Sequence, residues 1–114
     1  MNYATELIVY IAAPYTKGDV AQNINRVIKV ADELVTKGYI PYLPHLTHFW
    51  HLVSPKPYGF WIEYDTRFLL KCDCVLRLEG ESWGADKEVT IARKLGIPVY
   101  FSIEEMPEQP AGLH

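Results

Sequence analysis

The run Leu7-Ile8-Val9-Tyr10-Ile11-Ala12-Ala13 is continuously apolar. A strand with one solvated face alternates apolar and polar positions, so an unbroken run of this length predicts a strand covered on both faces, the centre of a parallel sheet. The next segment has the right period to cover it. After the loop Pro14-Tyr15-Thr16-Lys17-Gly18, Asp19 reads as a helix cap with Gln22 three residues on. Val20, Ile24, Val27, Ile28, Ala31, Leu34 and Val35 then fall on one helical stripe, and Gly38 ends it. Tyr39 to Leu43 is a short second strand whose Pro41 points to a sheet edge.

Two more helix-strand units complete the pattern. Residues 61–72 read as a helix, Asp73 to Leu78 as a strand, Gly80 to Leu95 as a turn and helix, and Ile97 to Phe101 as a last strand. Pro44 to Gly59 reads as a long loop rich in His, Pro and aromatic residues, and the tail from Ser102, with Pro107 and Pro110, as irregular. The expected fold is α/β: one domain over residues 1–114, a Rossmann-like or flavodoxin-like parallel sheet of about four strands in the order 2-1-3-4, with helices on both faces. Such sheets bind ligands at the carboxyl ends of their strands.

Two helices each carry a carboxylate on an apolar stripe. Glu88 shares a stripe with Ile91, Ala92 and Leu95, and Asp65 with Trp61, Phe68, Leu69 and Cys72. An acid facing a core is costly unless it is paired or has a task. Either the two are structural acids tied to Arg77 or to backbone amides, or they form an acid and nucleophile pair. Both are expected in the first turns of their helices, and so at the ligand-binding edge of the sheet. Arg77, odd in a buried strand, is expected to pair with a nearby acid.

Other features narrow the function. With 114 residues and a formal net charge of −3, there is no electrostatic case for duplex nucleic acid or an anionic membrane. No run approaches the ~18 apolar residues of a membrane span. Cys72 and Cys74 cannot easily bridge each other, and free thiols without an export signal point to the cytoplasm. Cys72-x-Cys74 reads as packing rather than a redox or zinc site. His45, His48 and His51 have metal-like spacing but lie in the predicted loop without acidic or thiolate partners, so a rim histidine contacting substrate, His45 first, is the better reading. Phe49, Trp50, Trp61 and Trp83 either stack on a base or form a core or dimer surface. The Gly80 to Gly84 loop lacks the Walker lysine and the G-x-G-x-x-G spacing, yet Ser82 and the amides after it can seat one phosphate at a helix N-terminus. Thr16 and Lys17 stand across the crevice from it.

Tyr10-Ile11-Ala12-Ala13-Pro14-Tyr15, Asp65 eight residues before Asp73, and Ser82-x-Gly84-x-x-x-Glu88 together resemble the nucleoside 2-deoxyribosyltransferase-like family, which includes deoxynucleoside 5′-monophosphate N-glycosidases and small phage and prokaryotic relatives. The similarity spans about residues 7 to 101. It implies that Glu88 is a nucleophile touched by Tyr10, that Asp65 is the acid or base-contact group, and that the Gly80, Ser82 and Gly84 loop faces the 5′ end of the sugar. The carboxyl-edge rule and the residues themselves add Ala13, Pro14, Tyr15, Thr16, Lys17, His45 and Trp61 as expected substrate-site residues. The expected activity is cleavage of the N-glycosidic bond of a (2′-deoxy)nucleoside 5′-monophosphate. The alternatives are transfer of deoxyribose between free nucleosides, and a catalytically silent nucleotide-binding module. Glycosyl transfer through a carboxylate would need one acid with a low pKa and one with a raised pKa. Neither cofactor nor metal is called for, and a homodimer or larger assembly is implied because family members complete their pockets with a neighbouring subunit.

Overall fold

The computed structural model describes residues 6–107. Its centre is β1, Ile8–Ala12, flanked by β2, Ile40–Tyr42, and β3, Cys74–Arg77, with β4, Val99–Tyr100, beyond β3. All neighbours pair in parallel and the order is β2-β1-β3-β4. The expected sheet is therefore the observed one. Pro41 sits opposite Val9 on the outer strand, where its missing N–H leaves no ladder bond unmet.

Alternate residues of β1 face opposite layers, which is why its sequence shows no polar period. Val9 and Ile11 pack with Val27, Ala31 and Leu34 of α1, Val20–Thr36, on one face. Tyr10 and Ala12 pack with Leu69 of α3, Tyr58–Leu69, and with Ala85 and Ala92 of α4, Trp83–Lys94, on the other. Val9, Tyr10, Ile11 and Ala12 are all fully buried. Helix α1 starts as expected: the Asp19 carboxylate accepts from the Gln22 amide at 3.2 Å.

Three local expectations are corrected. The segment after β2 is not a loop: Pro44–Leu46 forms a 3-10 turn and α2 spans Thr47–Val53. No residue of α2 is buried, so it has no apolar stripe for periodicity to detect. Second, α3 begins at Tyr58 after Pro57, not at Trp61, so Asp65 lies in mid-helix rather than in the first turn, and Glu88 likewise lies past the first turn of α4. Third, the buried face of α4 is Ala85, Val89 and Ala92, while Leu95 is the exposed C-cap. Glu88 and Ile91 flank that face on its half-buried side. In the tail, Ile103–Glu105 is a short 3-10 turn and Met106 is buried, while Pro110 lies outside the described residues.

Candidate active site

A crevice of about 510 Å³ opens at the carboxyl edge of the sheet, where the fold rule places it. One wall is the β1–α1 loop with the turn after β2: Ala13, Tyr15, Thr16, Lys17 and His45. A second is α3 and the residues before it: Lys56, Tyr58, Trp61, Ile62 and Asp65. The third is the start of α4: Glu81, Ser82, Trp83, Gly84 and Glu88.

Glu88 and Tyr10 meet. The Tyr10 hydroxyl, rising from the fully buried middle of β1, donates to the Glu88 carboxylate. Burial, and then the charges of Glu88 and Asp65, hold the Tyr10 phenol well above its ordinary range, so it remains a donor. Burial pushes Glu88 up to about 7, and the Asp65 charge adds to that; the Tyr10 hydrogen bond and the Arg77 charge act in the opposite direction. Burial alone pushes Asp65 up to about 7, and its Oδ1 has no hydrogen-bond partner among the described residues. Both acids are thus raised, where one low and one raised pKa had been expected. They differ instead in their partners: Glu88 has two that favour its charge and Asp65 has none.

Arg77 pairs with an acid as expected, and the acid is Asp86, at 3.0 Å. The guanidinium also donates to the carbonyls of Leu78 and, at 2.8 Å, Gly80, so it props the β3–α4 loop. Among the described residues, neither Asp65 nor Glu88 is hydrogen-bonded to Arg77 or to a backbone amide.

Ser82 caps α4, its Oγ accepting from the Ala85 amide at 3.1 Å. Beside it, Lys17 and Glu81 form an ion pair at 3.2 Å across the crevice mouth, with both side chains largely exposed. Pro14 and Gly80 do not line the crevice. They position the loops that do: Gly80 has φ +123° and a Cβ there would lie 2.8 Å from Pro14 Cγ.

The three spaced histidines have separate partners. His45, buried, places Nε2 2.8 Å from the Pro14 carbonyl. His48 Nδ1 is 2.6 Å from the Tyr15 hydroxyl, and His51 Nδ1 accepts from the Trp61 indole at 2.9 Å. Among the described residues, no group of three His, Cys, Asp or Glu side chains could hold a metal ion. The buried thiols of Cys72 and Cys74 are pushed up to about 11 and about 12, chiefly by burial, which makes them inert packing.

Lys56 and Tyr58 went unnoticed in the sequence. Their signal was Pro57: a proline immediately ahead of an aromatic run suits a helix start, which would have moved the start of α3 back to the crevice mouth. Tyr58 packs over Gly84, where a Cβ would meet its hydroxyl at 3.0 Å.

A sheet of this order with paired acids at its carboxyl edge defines an α/β domain with an acidic crevice. Residues 7–102 match the family described as "Domain of unknown function (DUF7768)", and the chain belongs to that family. No curated protein matches the sequence. The structure is similar to that of a 2-deoxyribosyltransferase from the psychrotolerant bacterium Bacillus psychrosaccharolyticus, characterised as a biocatalyst for synthesis of antiviral and antitumoral nucleosides. The TM-score is 0.61 at 18% identity, over 84% of this chain and 75% of that one. At this identity the likeness shows a shared fold. No helix among the described residues is long and apolar enough to cross a membrane.

The raised acids make stability depend on pH. The folded chain binds their protons more tightly than the unfolded chain does. Their stabilising contribution is therefore complete below the ordinary carboxylate pKa near 4 and is lost as pH rises through about 7. Asp65→Asn should gain on the wild type by on the order of 2 kcal/mol between pH 4 and pH 7.5, and no further above that. Urea unfolding of both proteins across that range measures it; a constant difference would contradict a buried, raised Asp65.

Proposed function

We propose that the chain cleaves the N-glycosidic bond of a (2′-deoxy)nucleoside 5′-monophosphate through a covalent intermediate on Glu88. The observation that carries this reading is the Glu88 carboxylate, held by Tyr10, in one crevice with an Asp65 whose Oδ1 has no protein partner among the described residues. Two acids raised to about 7 share protons near neutral pH. The Tyr10 hydroxyl donates to Glu88, the geometry that suits a carboxylate there, so we place the single proton of the pair on Asp65. That is the state glycosyl transfer needs.

In the first step a Glu88 oxygen bonds to C1′ as the C1′–N bond breaks. The bond's electrons leave with the base, and Asp65 delivers its proton to the base. In the second step water attacks C1′, Asp65 recovers a proton, and Glu88 departs as the carboxylate. The sum is hydrolysis to free base and sugar phosphate. A second base in place of water would give transfer. Tyr10 steadies Glu88 as a carboxylate both before attack and as it leaves.

The phosphate assignment draws on the start of α4. Capping uses a lone pair of Ser82 Oγ and leaves its O–H free to donate, beside the positive end of the helix. Lys17 is the adjacent cation, and a phosphate would take it over from Glu81.

We also propose that the working form is a homodimer or larger. Phe49, Leu52 and Val53 of α2 are 58%, 63% and 86% exposed, and Trp50 beside them is 43% exposed, an apolar surface that a monomer rarely leaves in water. Light scattering at micromolar concentration should return at least twice the 13.1 kDa chain mass. A fully active monomer would contradict this.

Glu88→Ala should still fold, the loss of a buried acid offsetting the Tyr10 hydroxyl it leaves without a partner, and lower base release by at least about 10³-fold. Chromatography of free base from a panel of nucleosides and 5′-monophosphates measures it. A folded variant that retains turnover removes the nucleophile assignment. Tight binding without base release in the wild type would favour a nucleotide-binding module.

For one deoxynucleoside with and without its 5′-phosphate, kcat/KM should favour the monophosphate by about tenfold or more, and Ser82→Asp should take ~2 kcal/mol from the monophosphate only. A better rate with the free nucleoside would reverse the phosphate assignment and move the transferase reading ahead.

A further inference from the structure

We infer that His45 recognises the 3′-hydroxyl of the substrate sugar, accepting its hydrogen bond at Nδ1. This rests on the nucleoside reading above and adds what that reading leaves open, how the sugar is held.

The ring's protonation follows from its partner. The Pro14 carbonyl can only accept, so the nitrogen 2.8 Å from it, Nε2, carries the hydrogen. His45 is only 5% exposed, and burial, opposed by the Pro14 hydrogen bond, lowers its pKa. A neutral ring with hydrogen on Nε2 has a bare lone pair on Nδ1. That atom is buried and has no hydrogen-bond partner among the described residues. Buried acceptors are nearly always satisfied, and those that are not in a ligand-free site ask for a ligand donor. A histidine that only braced Pro14 would need one nitrogen.

The division of the crevice selects the donor. In the proposed reaction, C1′ lies against Glu88 and the base reaches Asp65 on the α3 wall. The 5′ substituent goes to Ser82 at the start of α4. The remaining wall, where His45 stands with Ala13 and Tyr15, is then left for the far edge of the sugar. On a 2′-deoxyribose 5′-phosphate the donor on that edge is the 3′-hydroxyl. Tyr15 meets the His45 ring edge-on, with centroids 5.6 Å apart, which restricts the ring's rotation and keeps Nδ1 in place.

The test is a binding measurement, made in Glu88→Ala so that turnover cannot consume the ligand. Titration calorimetry compares 2′-deoxynucleoside 5′-monophosphates of the four bases with their 2′,3′-dideoxy counterparts. The dideoxy compounds should bind about tenfold or more weakly. Adding His45→Gln keeps a donor within reach of the Pro14 carbonyl and removes the acceptor at Nδ1; the difference should fall to less than about twofold. His45→Asn keeps an acceptor near Nδ1 and should retain part of the discrimination, which a merely bracing histidine would not predict. Equal binding of the deoxy and dideoxy ligands to Glu88→Ala overturns the inference without needing a His45 variant. So does a difference that survives His45→Gln undiminished. If no nucleotide binds, both this inference and the nucleoside reading fail. If binding depends on the 3′-hydroxyl but the wild type releases no base, the inference stands and the cleavage reading alone fails.

Discussion

The hydrogen bond from Tyr10 to Glu88 joins the centre of the sheet to the site above it. Tyr10 is a fully buried phenol in the innermost strand, and a buried hydroxyl without a partner is destabilising. Glu88, in turn, is a half-buried acid whose charge is steadied first by this donor from below and then by the Arg77 charge. Each group makes the other tolerable. Because the two lie 78 positions apart in sequence, their contact also fixes how α4 is rotated on the sheet. That rotation puts Ala85, Val89 and Ala92 on the strands and leaves Glu88 at the edge of the packed face, where it meets the crevice. It also differentiates the two acids. The partner that favours a carboxylate at Glu88 is absent from Asp65, and it offsets the deeper burial of Glu88, so both acids are raised to about the same extent.

The crevice keeps its shape through donors on regular elements that grip the carbonyls of loops. The Asn23 side chain in α1 holds the carbonyls of Tyr15 and Lys17 at 2.9 and 2.8 Å. Arg26, one turn on, holds that of Glu79 at 2.7 Å, and Arg77 in β3 holds that of Gly80. His45 does the same to Pro14. Each contact satisfies a carbonyl that no ladder can reach. Together they fasten the β1–α1 and β3–α4 loops to elements whose positions packing has already determined. A site built this way is largely formed before a ligand arrives, which removes ordering entropy from the cost of binding.

The same division explains what could be read in advance. Strand order, helix α1 and the carboxyl-edge location of the site all follow from periodicity, and periodicity reports burial. Asp65 and Glu88 stood out because an acid on an apolar stripe breaks that pattern. Helix α2 was invisible for the complementary reason: it buries nothing, and after Thr47 its residues are apolar or His on every side. The start of α3 was missed because Gly59 and Pro57 resemble loop punctuation, although proline is at home where a helix begins. Lys56 and Tyr58 were lost with it. Tyr10 could be singled out only through family resemblance, since an apolar run gives no sign that one of its hydroxyls has a long-range partner. The rank of Leu95 as a core residue failed because a helical stripe continues on paper past the point where the sheet ends.

The placement of unsatisfied groups bears on purpose. Among the described residues three buried side-chain atoms lack a hydrogen-bond partner: on Glu6, His45 and Asp65. Two of the three belong to residues lining one crevice, on different walls. The hydrophobic layers between the sheet and its helices have no such defect. A fold selected for stability alone would replace Asp65 with an apolar residue, since its burial works against the folded state at neutral pH. Local rules that fail together in one place, within a domain that otherwise obeys them, mark the place where structure serves something other than stability. Here the failures are a bare acceptor, an unpartnered acid and a hydrogen-bonded carboxylate around one cavity. A ligand offering a donor to the first, a basic atom to the second and an electrophilic carbon to the third would satisfy all of them at once, and a nucleoside is a molecule of that description.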